Sequence, residues 1–215
     1  LEGISCPKGG KSFFWSGSYH MDMNGRDTLA TELNVLADFK PEIPESWKNA
    51  RYVMLGNIDP TLQASVLDQM EQRPELVVLD TMNFWMDIAL EPLKAVIARV
   101  DVLTINDEEA RQLSGERSLM KAARAVLKMG PRYLVIKKGE HGSILSGPGG
   151  LFVAPAYPLK KVVDPTGAGD SFGRDENNSA AIAATAARNS VRRAVLARPS
   201  AEAGLAAGTG SAISR

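Results

Sequence analysis

The sequence predicts an α/β fold with a mainly parallel central sheet, preceded by a small β-hairpin. Four short apolar runs in the middle of the chain alternate with segments whose apolar residues recur at helical spacing. Strands separated by helices of this length favour parallel βαβ units. The first 40 residues instead place apolar residues at alternate positions before an Asn24-Gly25 pair, which is typical of an antiparallel hairpin.

The strands of the parallel sheet are predicted from short runs that are rich in apolar residues. They cover residues 51–57, 75–80, 101–106 and 132–138. A hairpin that turns at residues 147–150 is predicted to follow the last of them.

Helices are predicted between these strands over residues 60–72, 87–100 and 118–130. Pro60 lies near the start of the first helix, where proline is well tolerated. Pro92 suits a first turn better than an interior position. Gly130 is predicted to end the third helix.

The composition favours a globular protein that acts on a small molecule. The 215 residues carry 25 basic and 25 acidic side chains, and 44% are hydrophobic. Zero net charge argues against nucleic acid or an anionic membrane as a partner. The single cysteine, Cys6, excludes an intrachain disulfide, and with His20 and His141 as the only histidines a structural zinc site is not expected. No run approaches the ~20 apolar residues of a membrane span, and we predict a cytoplasmic location.

The first hairpin carries an aromatic face. Phe13, Trp15, Gly17 and Tyr19 share one side of a strand by period two. Three interpretations stay open: a lid over a binding site, a contact in a homodimer, or an ordinary antiparallel edge.

Polar residues follow every predicted parallel strand. In such sheets ligands bind outside the carboxyl ends of the strands. The residues at those ends are Asn57, Asp59, Asp80, Asn83, Asn106, Glu109, Lys137, Lys138 and Asp164. If they lie along one edge, they form a cleft for phosphate and alcohol ligands.

Residues 162–172, VVDPTGAGDSF, combine glycines and a carboxylate where a helix is about to begin. The first turn of a helix presents unpaired N–H groups that favour anions. Thr166 to Gly169 can therefore hold a phosphoryl group, and Asp170 can accept the proton of an attacking hydroxyl. The alternative is a structural strand–turn–helix connection, in which Pro165 sets the turn and Asp170 complements the helix dipole.

DPTGAGDSF resembles the C-terminal signature of the ribokinase-like (PfkB-type) carbohydrate kinases. Other segments resemble family motifs in the same order: the lid strand in FFWSGSYHMDMN, the return to the sheet in LGNIDP, a strand exit in LDTMNFW, the Asn-x-x-Glu motif in NDEEA and the nucleotide loop in IKKGEHGS. The resemblance covers about residues 11–172 and implies a three-layer fold with a β lid. It also implies ATP- and magnesium-dependent phosphorylation of sugars, nucleosides or related alcohols.

The resemblance also implies roles for individual residues. Asp170 would be the catalytic base, with Gly167, Ala168 and Gly169 as the anion hole. Asn106 would contact nucleotide phosphates, and Glu109 would order Mg²⁺ through water. The nucleotide would be lined by Lys137, Lys138, Gly139, Glu140, His141 and Gly142. Asp164 and Thr166 match positions that hold a monovalent cation such as K⁺ in several members.

Simpler interpretations of the same residues remain. Asn106 and Glu109 are also the pattern of a helix cap with a solvated first turn. Lys137 and Lys138 could be solvated charges at the end of a strand. His141 is predicted to be a loop contact rather than an acid or a base.

The chain also departs from the family pattern. The opening strand with its substrate-binding Asp and the Gly-Gly-x-x-x-Asn stretch is not found, and after Phe172 the chain places Arg174, Asp175 and Glu176 where the family has small and apolar residues. We therefore predict three parts: a β lid segment (residues 1–40), a nucleotide- and phosphate-binding core (41–172) and an atypical Ala-rich tail (173–215), either helical or flexible.

The predicted function is ATP-dependent phosphoryl transfer to a hydroxyl of a sugar or sugar-like substrate, nucleosides included. The alternative is a catalytically incomplete nucleotide-binding fragment of such a kinase. A dehydrogenase with a doubly wound sheet is disfavoured, because no early Gly-x-Gly-x-x-Gly follows a strand.

Overall fold

The computed structural model describes residues 3–21 and 25–174. Its strands are β1 Phe14–Tyr19, β2 Arg26–Glu32, β3 Tyr52–Leu55, β4 Leu76–Asp80, β5 Val102–Asn106, β6 Tyr133–Lys137, β7 Ser143–Gly147 and β8 Gly150–Ala154. Its α-helices are α1 Pro60–Asp68, α2 Asn83–Ile88, α3 Leu90–Ile97, α4 Asp107–Ser114, α5 Leu119–Leu127 and α6 Ala168–Arg174. Residues 175–215, nearly all of the predicted tail, lie outside the described residues, as does Asn24 of the predicted turn.

Six strands form one sheet in the order β3-β4-β5-β6-β7-β8. The pairs from β3 to β6 are parallel, and β7 and β8 add to the edge as an antiparallel hairpin. The predicted α/β class with a mainly parallel sheet is confirmed. Each of the four predicted strands forms, trimmed by one or two residues at one or both ends, and the predicted hairpin turn joins Gly147 to Gly150.

The larger hydrophobic core lies on one face of this sheet, against helices α1 to α5. Leu79 and Leu103 from the strands and Leu93, Ile97 and Val126 from the helices are fully buried in it. Complete burial of an apolar side chain of this size stabilises the fold by about 1.5–3 kcal/mol. This core therefore holds the strands in register and sets where their carboxyl ends lie.

The opposite face carries a smaller cluster. Val78, Val102, Tyr133 and Val135 are buried there, and Phe172 of α6 packs against them. Phe172 thereby holds the start of α6 over the sheet, on the face away from α1 to α5. The sheet thus has helices on both faces, as the three-layer prediction requires.

The predicted helix over residues 87–100 is wrong in one respect, because the structure divides this region into α2 and α3. Ala89, between them, has φ −143° and ψ 39°. The proline ring of Pro92 would clash with the carbonyl of Ile88 four residues earlier, so one continuous helix cannot pass through both. Pro92 instead lies in the first turn of α3, as predicted.

Strands β1 and β2 form a separate antiparallel sheet, which we call the lid hairpin. Trp15 and Tyr19 share one face, with their ring centroids 6.5 Å apart and at a steep angle. A Cβ at Gly17 would lie within 2.4 Å of two atoms of the Trp15 ring, so a larger residue there would displace the ring. Trp15, Gly17 and Tyr19 thus share one face, as predicted, whereas Phe13 precedes β1.

In the described part of the chain, no helix is both long enough and apolar enough to cross a bilayer.

Candidate active site

The signature loop, residues 164–170, folds as a tight turn that leads into α6. The Thr166 N–H donates to Asp164 Oδ1 at 2.8 Å, and the Ala168 N–H donates to the Pro165 carbonyl at 3.1 Å. Gly167 has φ +75°, a backbone conformation that side chains with a Cβ rarely adopt. The glycine is therefore needed for the turn.

Asp164 is stabilised as a carboxylate in this turn. Hydrogen bonds from the Thr166 hydroxyl, and then from its backbone N–H, hold the pKa of Asp164 below its usual value. A carboxylate that accepts two such hydrogen bonds fixes the shape of the loop.

Asp170 is exposed, and its carboxylate lies beside Gly167. A Cβ at Gly167 would be 4.0 Å from Asp170 Oδ2. The amides of Gly169 and Asp170 belong to the first turn of α6, where N–H groups lack a preceding turn to bond. A carboxylate open to solvent beside backbone donors is the arrangement that proton abstraction next to a bound phosphate requires.

Lys137, at the end of β6, reaches back over the sheet. Its Nζ donates to Asp80 Oδ1 at 3.0 Å, and the Thr104 hydroxyl donates to the same oxygen at 2.9 Å. The side chains of Lys137 and Asp80 are only 17% and 8% exposed. The interpretation of Lys137 as a solvated strand-end charge is therefore wrong.

The same ammonium group lies next to the signature loop. A Cβ at Gly169 would stand 3.4 Å from Lys137 Nζ. The structure thus brings Lys137, from the nucleotide loop of the sequence prediction, to the predicted anion hole.

Asn106 and Glu109 form a reciprocal capping box at the start of α4. The Glu109 N–H donates to Asn106 Oδ1 at 2.8 Å, and the Asn106 N–H donates to Glu109 Oε2 at 2.7 Å. The cap interpretation is correct as to hydrogen bonding, but Glu109 is buried, with 6% exposure, so its turn is not solvated at this residue.

The loop after β6, residues 138–142, is a short 3-10 turn closed by a hydrogen bond from the Lys138 N–H to the Gly142 carbonyl at 2.8 Å. Gly139, Glu140 and His141 are exposed. His141 Nε2 and Glu140 Oε1 are 3.9 Å apart, a distance at which an exposed pair contributes little. Their role in lining a nucleotide stays a prediction.

The lid hairpin contacts the signature loop directly. The Tyr19 hydroxyl lies 3.0 Å from the Thr166 hydroxyl. The sequence predicts that Tyr19 lies on the aromatic face. It does not predict the contact with Thr166, which is 147 positions away.

A cavity of about 430 Å³ lies at the same carboxyl edge of the sheet. It is bounded by the segment after the lid hairpin, the loop after β3 and α2. Leu36, Phe39 and Trp85 line it together with the charged residues Lys40 and Asp59. Apolar and aromatic walls with a few polar groups are typical of small-molecule sites.

No group of three or more histidine, cysteine, aspartate or glutamate side chains within residues 3–21 and 25–174 is arranged to hold a metal ion. Magnesium that is bound to nucleotide phosphates needs fewer protein ligands, commonly one or two carboxylates, and keeps several waters. Glu109, Asp164 and Thr166 as cation-holding residues remain predictions.

Two residues that adjoin the signature loop through Lys137 are not predicted from the sequence. Asp80 is predicted only as a polar strand end, and no motif in the sequence marks Thr104. Both lie on the face of Val78, Val102 and Val135, at positions fixed by period two along paired strands. A carboxylate and a hydroxyl that interrupt buried strands on one face were the available signal.

Known proteins resemble this chain in sequence and in fold. The profile of the pfkB family of carbohydrate kinases matches residues 20–214, so the match extends through most of the tail that was predicted to be atypical. A curated relative, the cytidine kinase of Thermococcus kodakarensis, is 28% identical over 169 residues, which are 76% of this chain and 59% of that protein.

Solved structures show the same fold. The nucleoside kinase of Burkholderia thailandensis, in complex with inosine, superposes with a TM-score of 0.60 at 19% identity, covering 83% of this chain and 56% of that one. An E. coli protein of the ribokinase type, solved with ATP and Mg²⁺, gives a TM-score of 0.60 at 18% identity, covering 81% and 60%. The chain thus spans about three fifths of the length of these proteins.

Proposed function

The chain belongs to the pfkB family of carbohydrate kinases, and on that premise we propose that it carries the phosphate-binding loop and catalytic base of an ATP-dependent kinase. The acceptor is a hydroxyl of a sugar or of a sugar-like molecule such as a nucleoside. The observation that carries the proposal is the exposed Asp170 carboxylate beside Gly167, in a loop that also adjoins Lys137 Nζ.

In the proposed reaction Asp170 takes the proton of the acceptor hydroxyl as its oxygen attacks the terminal phosphorus of ATP. The bond from that phosphorus to the bridging oxygen breaks, and ADP leaves. The loop of Gly167, Ala168 and Gly169 holds the phosphoryl group during the transfer. The donors to its oxygens are the N–H groups of Gly169 and Asp170, because the Ala168 N–H already donates to the Pro165 carbonyl. Donors that are already in position act on this charge without reorganising.

The residues present fit ATP and magnesium. The glycines of the signature loop leave room for phosphate oxygens, and the loop at residues 138–142 is open for the rest of the nucleotide. Mg²⁺, when bound, would neutralise phosphate charge. The Glu109 carboxylate, in the first turn of α4, would hold water molecules that are bound to the Mg²⁺. Asp164 and Thr166 are the residues that would hold a monovalent cation.

The cavity between the lid segment and Trp85 is the proposed place of the acceptor. It is lined by residues that follow the lid hairpin, such as Leu36 and Phe39, and its aromatic wall suits the apolar face of a sugar or base ring. The exposed apolar residues of the lid hairpin, such as Phe14 and Leu29, are proposed as the contact of a homodimer. The cytoplasm, as the main compartment of ATP, is the proposed location.

A second candidate is a nucleotide-binding fragment that transfers nothing. It is favoured by one observation, that the chain spans 59% of the cytidine kinase it matches. The fragment would bind ATP without forming a phosphorylated product.

A coupled assay for ADP, run with ribose, cytidine and inosine as trial acceptors, tests the proposal. Asp170→Asn should lower kcat by about 10²–10⁴-fold, the usual contribution of a general base, with little change in the unfolding midpoint because Asp170 is exposed. Asp68→Asn is the matched control, since Asp68 is also exposed but pairs with Arg99 on the helical side of the fold.

The outcomes separate the two candidates. An Asp170→Asn variant with most of its turnover would refute the base assignment. ATP that raises the unfolding temperature while no acceptor yields ADP would favour the fragment.

A further inference from the structure

A buried ion pair between Asp80 and Lys137 lies at the carboxyl edge of the sheet, and the proposed reaction assigns it no role. Asp80 ends β4 and Lys137 ends β6, and they meet across β5 at 3.0 Å. Thr104 of β5 donates to the same Asp80 oxygen at 2.9 Å. The three residues share the face of the sheet that carries Val78 and Val102.

Such a pair is a poor device for stability alone. Removing two charges from water costs several kcal/mol per ion, and a well-packed apolar pair of similar volume often stabilises a fold as well or better. The neighbouring positions on this face are valines. Stability alone therefore does not explain the charged pair. A function of the Lys137 ammonium group on the side away from Asp80 explains it better.

The free side of Lys137 faces the signature loop. Within the described ranges, Asp80 is the one hydrogen-bond acceptor of Lys137 Nζ, although an ammonium group has three donors. A Cβ at Gly169 would lie 3.4 Å from the nitrogen. Two N–H donors are thus available within reach of an anion seated at Gly169.

We propose that Lys137 contacts the phosphoryl group under transfer, and that Asp80 and Thr104 are positioning residues that hold its ammonium group there. The inference rests on the proposed kinase function. The pair is neutral overall, so it acts as a fixed dipole with its positive end toward the phosphate. Lys137 is held by the buried Asp80 carboxylate, which is in turn held by the Thr104 hydroxyl. A donor fixed in this way needs no reorganisation when charge moves onto the oxygens.

Nucleotide affinity provides a test that does not need turnover. The ligands are ADP and an ATP analogue with an imido group between the β- and γ-phosphorus atoms, both with Mg²⁺ and measured by calorimetry. The variant is the double replacement Asp80→Asn/Lys137→Met, because Lys137→Met alone would strand a buried carboxylate. A charged hydrogen bond contributes about 1.5–3 kcal/mol, so the analogue should bind roughly 10–100-fold more weakly while ADP changes much less.

Asp80→Asn alone serves as a second variant, in case the double replacement does not fold. It leaves Lys137 in place but unanchored, and the ratio of analogue affinity to ADP affinity should fall by a smaller factor, roughly three- to tenfold. The matched control is Arg73→Met/Asp101→Asn, which removes an ion pair of the same 3.0 Å length between the segments that precede β4 and β5, at the other end of the sheet. Because Arg73 is largely exposed, this control should change stability little and leave the affinity ratio unchanged.

The outcomes distinguish a failure of the Lys137 role from a failure of the proposed kinase function. A wild-type chain that binds neither nucleotide would overturn both. Wild type that binds both, with variants that lose the analogue and ADP equally or lose neither, would overturn the role of Lys137 and leave the kinase proposal standing.

Discussion

Gly142→Ala should damage both the stability of the sheet and the binding of nucleotide. Gly142 joins the loop at residues 138–142 to β7 with φ +83° and ψ −140°, a region that is essentially restricted to glycine. Forcing alanine into it costs about 1–3 kcal/mol. The first consequence is therefore backbone strain, whatever space surrounds the residue.

Space is also lacking at this position. A Cβ at Gly142 would lie 2.0 Å from the Ala154 carbonyl oxygen and 2.7 Å from the Ala156 nitrogen. Both are backbone atoms, so no side chain can rotate away. Overpacking of this kind costs about 1–3 kcal/mol more, and a total of about 4 kcal/mol lowers the Tm of a chain of this size by roughly 10 °C.

Gly115→Ala is the matched control. Gly115 ends α4 with φ +71°, and a Cβ there would meet nothing within 4 Å. Only the left-handed conformation is then penalised, by about 1–2 kcal/mol. Differential scanning calorimetry with and without ATP measures the difference.

The binding results follow from the same geometry. Gly142→Ala should also weaken ATP binding, because the displaced loop carries Lys138 to His141, whereas Gly115→Ala should not. Equal losses of Tm in the two variants would refute the steric reasoning.

Three further predictions concern the signature loop and the lid hairpin. Gly169→Ala should keep or raise the Tm in thermal unfolding, since alanine is the better helix former by about 1 kcal/mol. The same variant should lower kcat/KM by roughly tenfold or more in steady-state kinetics, because its Cβ would stand 3.4 Å from Lys137 Nζ. An NMR titration should give Asp164 a pKa below the ordinary value of an aspartate, because the Thr166 hydroxyl and N–H donate to its carboxylate. These hydrogen bonds therefore hold the loop above the ordinary pKa and release it as pH falls through the lowered pKa, and Thr166→Ala should shift the titration upward. Tyr19→Phe should speed amide hydrogen exchange in the lid hairpin by roughly fivefold, with β5 unchanged.

Each of these has a contradicting result. Unchanged kinetics in Gly169→Ala would mean that no anion approaches the glycine. An Asp164 pKa that is not lowered, or that Thr166→Ala leaves unchanged, would contradict the hydrogen bonds with Thr166. Equal exchange in Tyr19→Phe and wild type would show that the Tyr19 hydroxyl does not hold the lid hairpin.

Much of the fold was predictable because the signals are local. Apolar runs marked the strands, helical spacing marked α1, α3 and α5, and the Pro92 ring explained the break that the continuous prediction lacked. These features depend on a residue and its near neighbours in the chain, which a single sequence contains.

The site was predictable only where its residues are neighbours in sequence. The signature loop could be interpreted from residues 164–170 alone. Asn106 and Glu109 were also found, but the sequence left open whether they cap a helix or serve a ligand, because a capping box and a ligand pair need the same side chains at the same spacing.

The sequence by itself determined the α/β class, the order of the strands along the chain and the loop with Asp170 as a candidate base. Only the tertiary structure decided that Lys137 pairs with Asp80, 57 positions away, and that Tyr19 meets Thr166. Such contacts depend on which strands pair and in which register, since a shift of one residue turns every side chain to the other face. That register is set by burial of the whole core rather than by any one segment.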